Sequence, residues 1–247
     1  MKKIIVGCCM LLSILSATAQ SQRSPYRRGY LRLGINNLPG KLNNSMSPKE
    51  NMLASRYGSG TGFAFEMGKV YYFNRPDSDD LIGYGLDWTV FSLTYNPLSK
   101  WNDYESNTGN TSISGNPLVA TLSTKLGPVV SFNPVEDLII DARLQLMATA
   151  HHFNFYHETN NGSFELLNGM KDGSENNALD NIVLGFKPNI GFTVRRGVIG
   201  LALDYAPGKM KMNYGESSGN YEDGYNDSYG NAEIKNNNLQ LKLSLSF

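Results

Sequence analysis

The last nine residues constrain the fold more than any other stretch of the chain. From 239 to 247 the odd positions are Leu239, Leu241, Leu243, Leu245 and Phe247, and the even ones are Gln240, Lys242, Ser244 and Ser246. A period of two sends alternate side chains to opposite faces of an extended strand. One face is then wholly apolar and the other wholly polar, a sorting no helix achieves with this spacing.

The same alternation predicts seven further strands, near 29–36, 60–73, 82–95, 118–132, 138–155, 181–194 and 198–214, with the last strand covering 234–247. Helical periodicity of convincing length is absent. The connections alternate. Polar stretches rich in Asn, Gly, Ser and Tyr fill 38–57, 96–117, 156–180 and 215–233, whereas 74–81, 133–137 and 195–197 are short. Long connections on one rim and short turns on the other are the pattern of a transmembrane barrel. The expected fold is all-β: an eight-stranded antiparallel up-and-down transmembrane β-barrel with four long extracellular loops and three short periplasmic turns.

The N-terminus fits export. Lys2 and Lys3 precede an apolar run from Ile4 to Leu15, and Ala17-Thr18-Ala19 supplies a small-x-small cleavage site. That run is shorter than the roughly 20 residues a membrane-spanning helix needs. Residues 1–19 read as a signal peptide cleaved near Ala19/Gln20, and 20–247 as the barrel domain. The whole chain balances 22 basic against 22 acidic residues, which excludes the basic footprint of a nucleic-acid binder. Both cysteines, Cys8 and Cys9, leave with the signal. The mature chain then has no disulfide and no thiolate chemistry.

A barrel in lipid turns its apolar faces outward and its polar faces inward. On that rule the lumen receives Arg32, Lys125, Arg143, Lys187 and Lys242 together with Glu66, Asp87, Asp141 and Asp204. An unpaired buried charge costs several kcal/mol, so near balance of signs is expected of a lumen that side chains fill. Aromatics fall toward two rims: Tyr71, Tyr72, Phe73, Tyr84, Phe132 and Phe247 near the short turns, and Phe63, Tyr95, Phe153, Phe155, Tyr205 and Tyr214 near the long loops. Two positions break the rule. Strict alternation puts Lys69 toward lipid, so a bulge near Gly68-Lys69 is expected to turn it inward and bring Val70 and Tyr72 out. Pro188 interrupts the sixth strand, which predicts a missing ladder bond at a second bulge.

With the signal end Ala17-Thr18-Ala19, the four-long, three-short alternation and the terminal segment ending in Phe247, the chain resembles the small eight-stranded outer-membrane barrels of the OmpA, OmpX and OmpW kind. The Ala19/Gln20 junction and Asn/Gly/Tyr-rich loops look like such proteins from Bacteroidota. The resemblance implies a Gram-negative outer membrane, contact with its lipids and lipopolysaccharide, and reading of Leu239, Leu241, Leu243, Leu245 and Phe247 by the barrel-assembly machinery. Such barrels include adhesins, porin-like proteins and enzymes, so it implies location more firmly than activity.

Candidate chemistry is sparse. His151 and His152 are adjacent on a strand and face opposite sides, so regular geometry forbids a shared metal. Either could serve a lipid A-modifying enzyme, but the His-x-Ser element of a lipid A deacylase is missing, since Phe153 follows His152 and Asn154 follows Phe153. Carboxylates Glu216, Glu222, Asp223 and Asp227 read as a solvated acidic loop, without the spacing of a Ca²⁺ loop. The Gly58–Gly62 stretch opens a strand rather than a helix, so it is no phosphate loop. The expectation is a non-enzymatic barrel without metal or cofactor, whose loops meet an extracellular ligand. The alternatives are a narrow porin-like or hydrophobic-solute transport barrel and a lipid A-modifying enzyme.

Overall fold

The computed structural model describes residues 24–77, 79–108, 112–113, 116–159, 162–167, 182–220 and 224–247. The signal reading on 1–19, the Glu222 and Asp223 carboxylates and Asn181 lie outside these residues.

Strands run in the order β1 (Gly29–Asn37), β2 (Gly62–Tyr72), β3 (Ile82–Pro97), β4 (Ser112–Ile113), β5 (Leu118–Val135), β6 (Leu138–Asn154), β7 (Tyr156–Thr159), β8 (Gly162–Leu167), β9 (Val183–Arg196), β10 (Ile199–Ala206), β11 (Lys209–Asn220), β12 (Gly224–Lys235) and β13 (Asn238–Ser246). Helices α1 (Pro48–Leu53) and α2 (Trp101–Thr108) are short; no described helix is long and apolar enough to cross a membrane. Eight strands, β1-β2-β3-β5-β6-β9-β10-β13, close into an antiparallel barrel as β13 returns to β1. Following facing pairs once around from Ala142 returns to β6 at His152, ten residues along. Such a stagger tilts the strands by about 40° from the barrel axis.

Two ends differ. At the hairpin end β5 turns into β6 through Glu136-Asp137 and β9 into β10 through Gly197-Val198, with Asp137 and Gly197 at positive φ of 61° and 58°. At the opposite end β12, β11, β8, β7 and β4 form a second, five-stranded sheet. Leu38, Met52, Tyr57, Trp101, Phe153, Phe155, Phe164, Met212 and Ile234 form its buried core, which reaches down to Val119 at the barrel's own end. We call this assembly the cap.

Several elements differ from the sequence expectation. The predicted strand 198–214 is two strands, because Pro207-Gly208 ends β10 and β11 leaves the barrel for the cap. The final barrel strand starts at Asn238 rather than 234, and Ile234 is buried in the cap core. Within the acidic stretch 215–233, residues 215–220 and 224–233 belong to the paired strands β11 and β12 rather than to a loop; Glu216 pairs with Lys49 of α1, and Asp227 is exposed. Of the rim aromatics, Tyr72, Phe153 and Phe155 are buried, because Tyr72 shares the inward face of β2 and the other two enter the cap core.

The bulge expected at Gly68-Lys69 sits on the facing strand instead. Met67 faces Phe91 and Gly68 faces Thr89, so the extra residue is Val90 of β3. Val90 and Phe91 consequently both turn outward, which keeps Thr89 and Ser92 buried on the same side. Alternation along β2 continues unbroken: Lys69 points out, with Nζ 5.4 Å from the Tyr71 ring, while Val70 and Tyr72 point in. Pro188 makes no bulge. Its register with Leu146 of β6 is regular, and on its other side the β10 ladder has already ended at Ile190 facing Tyr205.

Candidate functional site

Polarity is inverted around the wall. Outward side chains such as Leu33, Phe63, Leu126, Leu144, Phe192, Leu201 and Leu243 are exposed, while Arg32, Glu66, Asp87, Lys125, Asp141, Arg143, Lys187, Asp204 and Lys242 are all buried inside. Arg195, which the sequence places in the short turn 195–197, joins them as part of β9. It shares parity with Lys187, Asn189 and Thr193 on β9, and that parity is the signal that could have found it. The interior thus carries six cations and four carboxylates among the described residues.

The charges are layered. Nearest the hairpin end, Arg195 Nε lies 3.2 Å from Asp141 Oδ2, and its guanidinium also donates to the Pro25 carbonyl at 2.8 Å. Ser131 Oγ donates to Asp141 at 2.6 Å. Tyr26 packs edge-on against Tyr72, so the segment before β1 enters this end of the lumen.

The middle layer spans the barrel. Arg143 of β6 meets Asp204 of β10 at 3.0 Å and Asp87 of β3 at 3.6 Å. Asp87 also accepts from Tyr30 Oη at 2.6 Å. Glu66 of β2 gathers Lys125 of β5, Lys242 of β13 at 2.7 Å and Arg32 of β1 at 3.7 Å. Lys242 bridges the two groups, lying 2.7 Å from Asp204 as well. Asn189 donates to Asp204 and to Gln145 at 3.1 and 3.0 Å. Gly191 makes room for this: a Cβ there would fall 2.6 Å from the Arg143 guanidinium. Tyr30, Gln145, Asn189 and Gly191 were not singled out by the sequence reading, because uncharged residues on an inward face look like ordinary filling. Charges in such a place are stable only when paired and hydrogen-bonded, and removing one partner costs about 3–5 kcal/mol.

Toward the cap, Lys187 Nζ donates to the Asn236 carbonyl at 3.0 Å. His151 is buried above it, with Nδ1 2.8 Å from Thr121 Oγ1 and its ring within 3.2 Å of the Asn236 amide nitrogen. His152 faces outward and is exposed, so the two candidate histidines are not brought together. His157 is buried in β7 within the cap. Neither described cavity touches His151. Among the described residues no group of three or more His, Cys, Asp or Glu could hold a metal ion.

The cap has its own concavity. A cavity of about 540 Å³ lies beside β1, floored by Leu38, Leu42 and Tyr104 and rimmed by Asn44, Ser59, Lys100 and Asp103. On the opposite side of the barrel seam, Leu239, Leu241 and Leu243 face outward, and Phe247 closes the C-terminal end against Gly29.

The chain is a closed eight-stranded antiparallel barrel. Compared with known proteins, it matches no protein-family model and no curated sequence.

Proposed function

We propose that this protein is an integral outer-membrane barrel, exported with loss of residues 1–19, that acts as a sealed anchor and holds its cap outside the cell as a recognition or adhesion surface. The inverted polarity of the wall carries this reading: a continuous exposed apolar exterior surrounds ten buried charges, an arrangement suited to hydrocarbon and not to water. Aromatics support the placement. Tyr71, Phe73, Tyr84 and Phe132 are exposed toward the hairpin end, and Phe63, Tyr95 and Tyr205 toward the cap, as two interfacial girdles would be.

The cross-lumen ties from Arg143 and Glu66 favour a closed lumen over a porin-like one, since an ion would have to part several buried pairs to pass. Burial of His151, whose ring is engaged by Thr121 and Asn236, favours a non-enzymatic role. On this reading the partners are outer-membrane lipids and lipopolysaccharide around the wall, the assembly machinery at Leu239 to Phe247, and an extracellular ligand at the cap. The hairpin turns lie in the periplasm.

Gel mobility of membrane-extracted protein with and without boiling tests the membrane reading; a folded barrel migrates apart from its boiled form, and identical mobility overturns the reading. Planar-bilayer recording tests the seal, and a steady conductance overturns it.

A further inference from the structure

The barrel wall is incomplete near the cap. β9 pairs with β6 along its whole length, up to Val183 facing His151. Its ladder with β10 stops at Ile190 facing Tyr205, and β10 itself ends at Ala206, before Pro207-Gly208. Residues 183–189 therefore form a seven-residue strand edge with no ladder partner among the described residues on that side. β11 packs near this edge without a ladder to it, its own ladders running to β8 and β12 in the cap sheet, and Gly208 lies against the Lys187 stem, where a Cβ would fall 2.9 Å from the Lys187 Cδ.

The edge is apolar outside and cationic inside. Leu184 and Phe186 are 77% and 74% exposed, more than any other large apolar side chain of the wall, and the β6 residues facing them are only Ala150 and Ala148. Behind the same edge Lys187 is 5% exposed. Each of the other five interior cations has a carboxylate within 4.0 Å: Arg32, Lys125 and Lys242 at Glu66, Arg143 at Asp204 and Asp87, and Arg195 at Asp141. Lys187 has none among the described residues; it reaches across the break to the Asn236 carbonyl. A buried ammonium held by one neutral acceptor retains capacity for an anion. The break also opens directly above Tyr205, an aromatic of the cap-side girdle, where the head groups of a bilayer lie.

We propose that this break is a lateral binding site for a phospholipid of net negative charge from the surrounding bilayer. The phosphate is held by Lys187, which exchanges the Asn236 carbonyl for it, and an acyl chain runs from there toward the bilayer centre along the outward side chains Ile190 and Phe192, beside Tyr205. The occupant follows from charge complementarity: a cation at head-group depth without a carboxylate among the described residues, with the apolar wall of Ile190 and Phe192 below it, asks for an anion attached to hydrocarbon. The inference rests on the membrane reading above.

The test is native mass spectrometry of the protein in nanodiscs of mixed phosphatidylglycerol and phosphatidylcholine, with lipid retention followed as detergent is titrated in. Wild type is expected to keep one phosphatidylglycerol after the remaining lipid has left. Lys187→Met, which keeps the aliphatic stem and loses the charge, is expected to lower that retention about tenfold, and Ile190→Ser several-fold. Equal retention by wild type and Lys187→Met overturns the site, as does equal retention of the zwitterionic lipid. A competition arm with dodecanoate separates sources: displacement of the lipid by stoichiometric fatty acid overturns a lipid phosphate as the occupant. Heat-modifiable mobility of each variant is recorded alongside. A variant that keeps its folded band yet retains lipid like wild type sinks this inference alone, whereas loss of heat-modifiability in wild type sinks the membrane reading beneath it.

Discussion

The ring of Phe247 occupies the space that a side chain at Gly29 would need. A Cβ at residue 29 would fall 2.5 Å from Phe247 Cε2, and the two backbones exchange hydrogen bonds of 2.7 and 2.9 Å. This contact ties the C-terminal aromatic to the strand that closes the barrel. Gly29→Val is expected to destabilise the barrel by about 1 kcal/mol, the low end for overpacking, because the ring can swing aside. Phe247→Leu combined with it should cost less than the sum of the single changes. Urea titration of the folded gel band measures both, and strict additivity would show that the two residues do not interact.

Arg143 joins Asp87 to Asp204, so its removal strands two carboxylates at once. Arg143→Met should cost about 3–5 kcal/mol, and adding Asp204→Asn should recover part of that loss. Equilibrium unfolding in lipid vesicles reports the difference. A loss below about 1 kcal/mol would mean that water reaches this layer.

Lys69 lies outward on the wall and reaches toward the Tyr71 ring, which stands nearer the hairpin end. Because a lysine on the lipid face costs about 2–4 kcal/mol at the midplane and about 0–1 near the interface, Lys69→Leu should stabilise the protein in bilayers by roughly 1–3 kcal/mol. The gain should shrink in detergent. Destabilisation by this change in bilayers would count against the membrane reading.

Trp101 is fully buried in the cap core, where its indole N–H donates to the Tyr57 carbonyl at 2.9 Å and its ring packs 4.8 Å from Phe155. Trp101→Ala should cost the cap about 3–5 kcal/mol. Limited proteolysis is expected to cut within the cap of this variant while the barrel keeps its heat-modifiable band. Loss of both together would mean that barrel and cap fold as one unit.

Helix α1 begins with a capping box. The Ser47 backbone N–H donates to Glu50 Oε2 at 2.7 Å and the Glu50 backbone N–H donates to Ser47 Oγ. The bond from the Ser47 backbone, with the Ser47 side chain second, holds the Glu50 carboxyl below its ordinary range. A depressed folded value means the contribution is fully present above the unfolded value and is lost as pH falls through the folded one. Amide exchange across 48–53 should quicken, relative to intrinsic rates, below about pH 4. Glu50→Gln should remove that dependence.

The number of barrel strands and the wall polarity were legible because both rest on local alternation: Leu239 through Phe247 sort by parity whatever surrounds them. Parity likewise assigns an interior face to Arg143, Asp204 and, past Thr193, Arg195. Lys69 resisted because a bulge belongs to a pair of strands. Met67 to Val70 read alike whether the extra residue sits on β2 or, as here, on β3 at Val90. The cap was hidden for a related reason: 38–57, 96–117 and 156–180 are polar on average, and their few aromatics gain meaning only when Tyr57, Trp101 and Phe164 converge with Phe155 from distant parts of the chain.

By itself, then, the order of residues determined a period-two chain that sends one set of side chains to each face of eight strands. Only the tertiary structure decided which charges meet. Pairing Glu66 with Lys125 and Lys242, or leaving Lys187 beside a broken ladder, depends on strand stagger across a closed barrel, and that stagger is set jointly by all eight ladders.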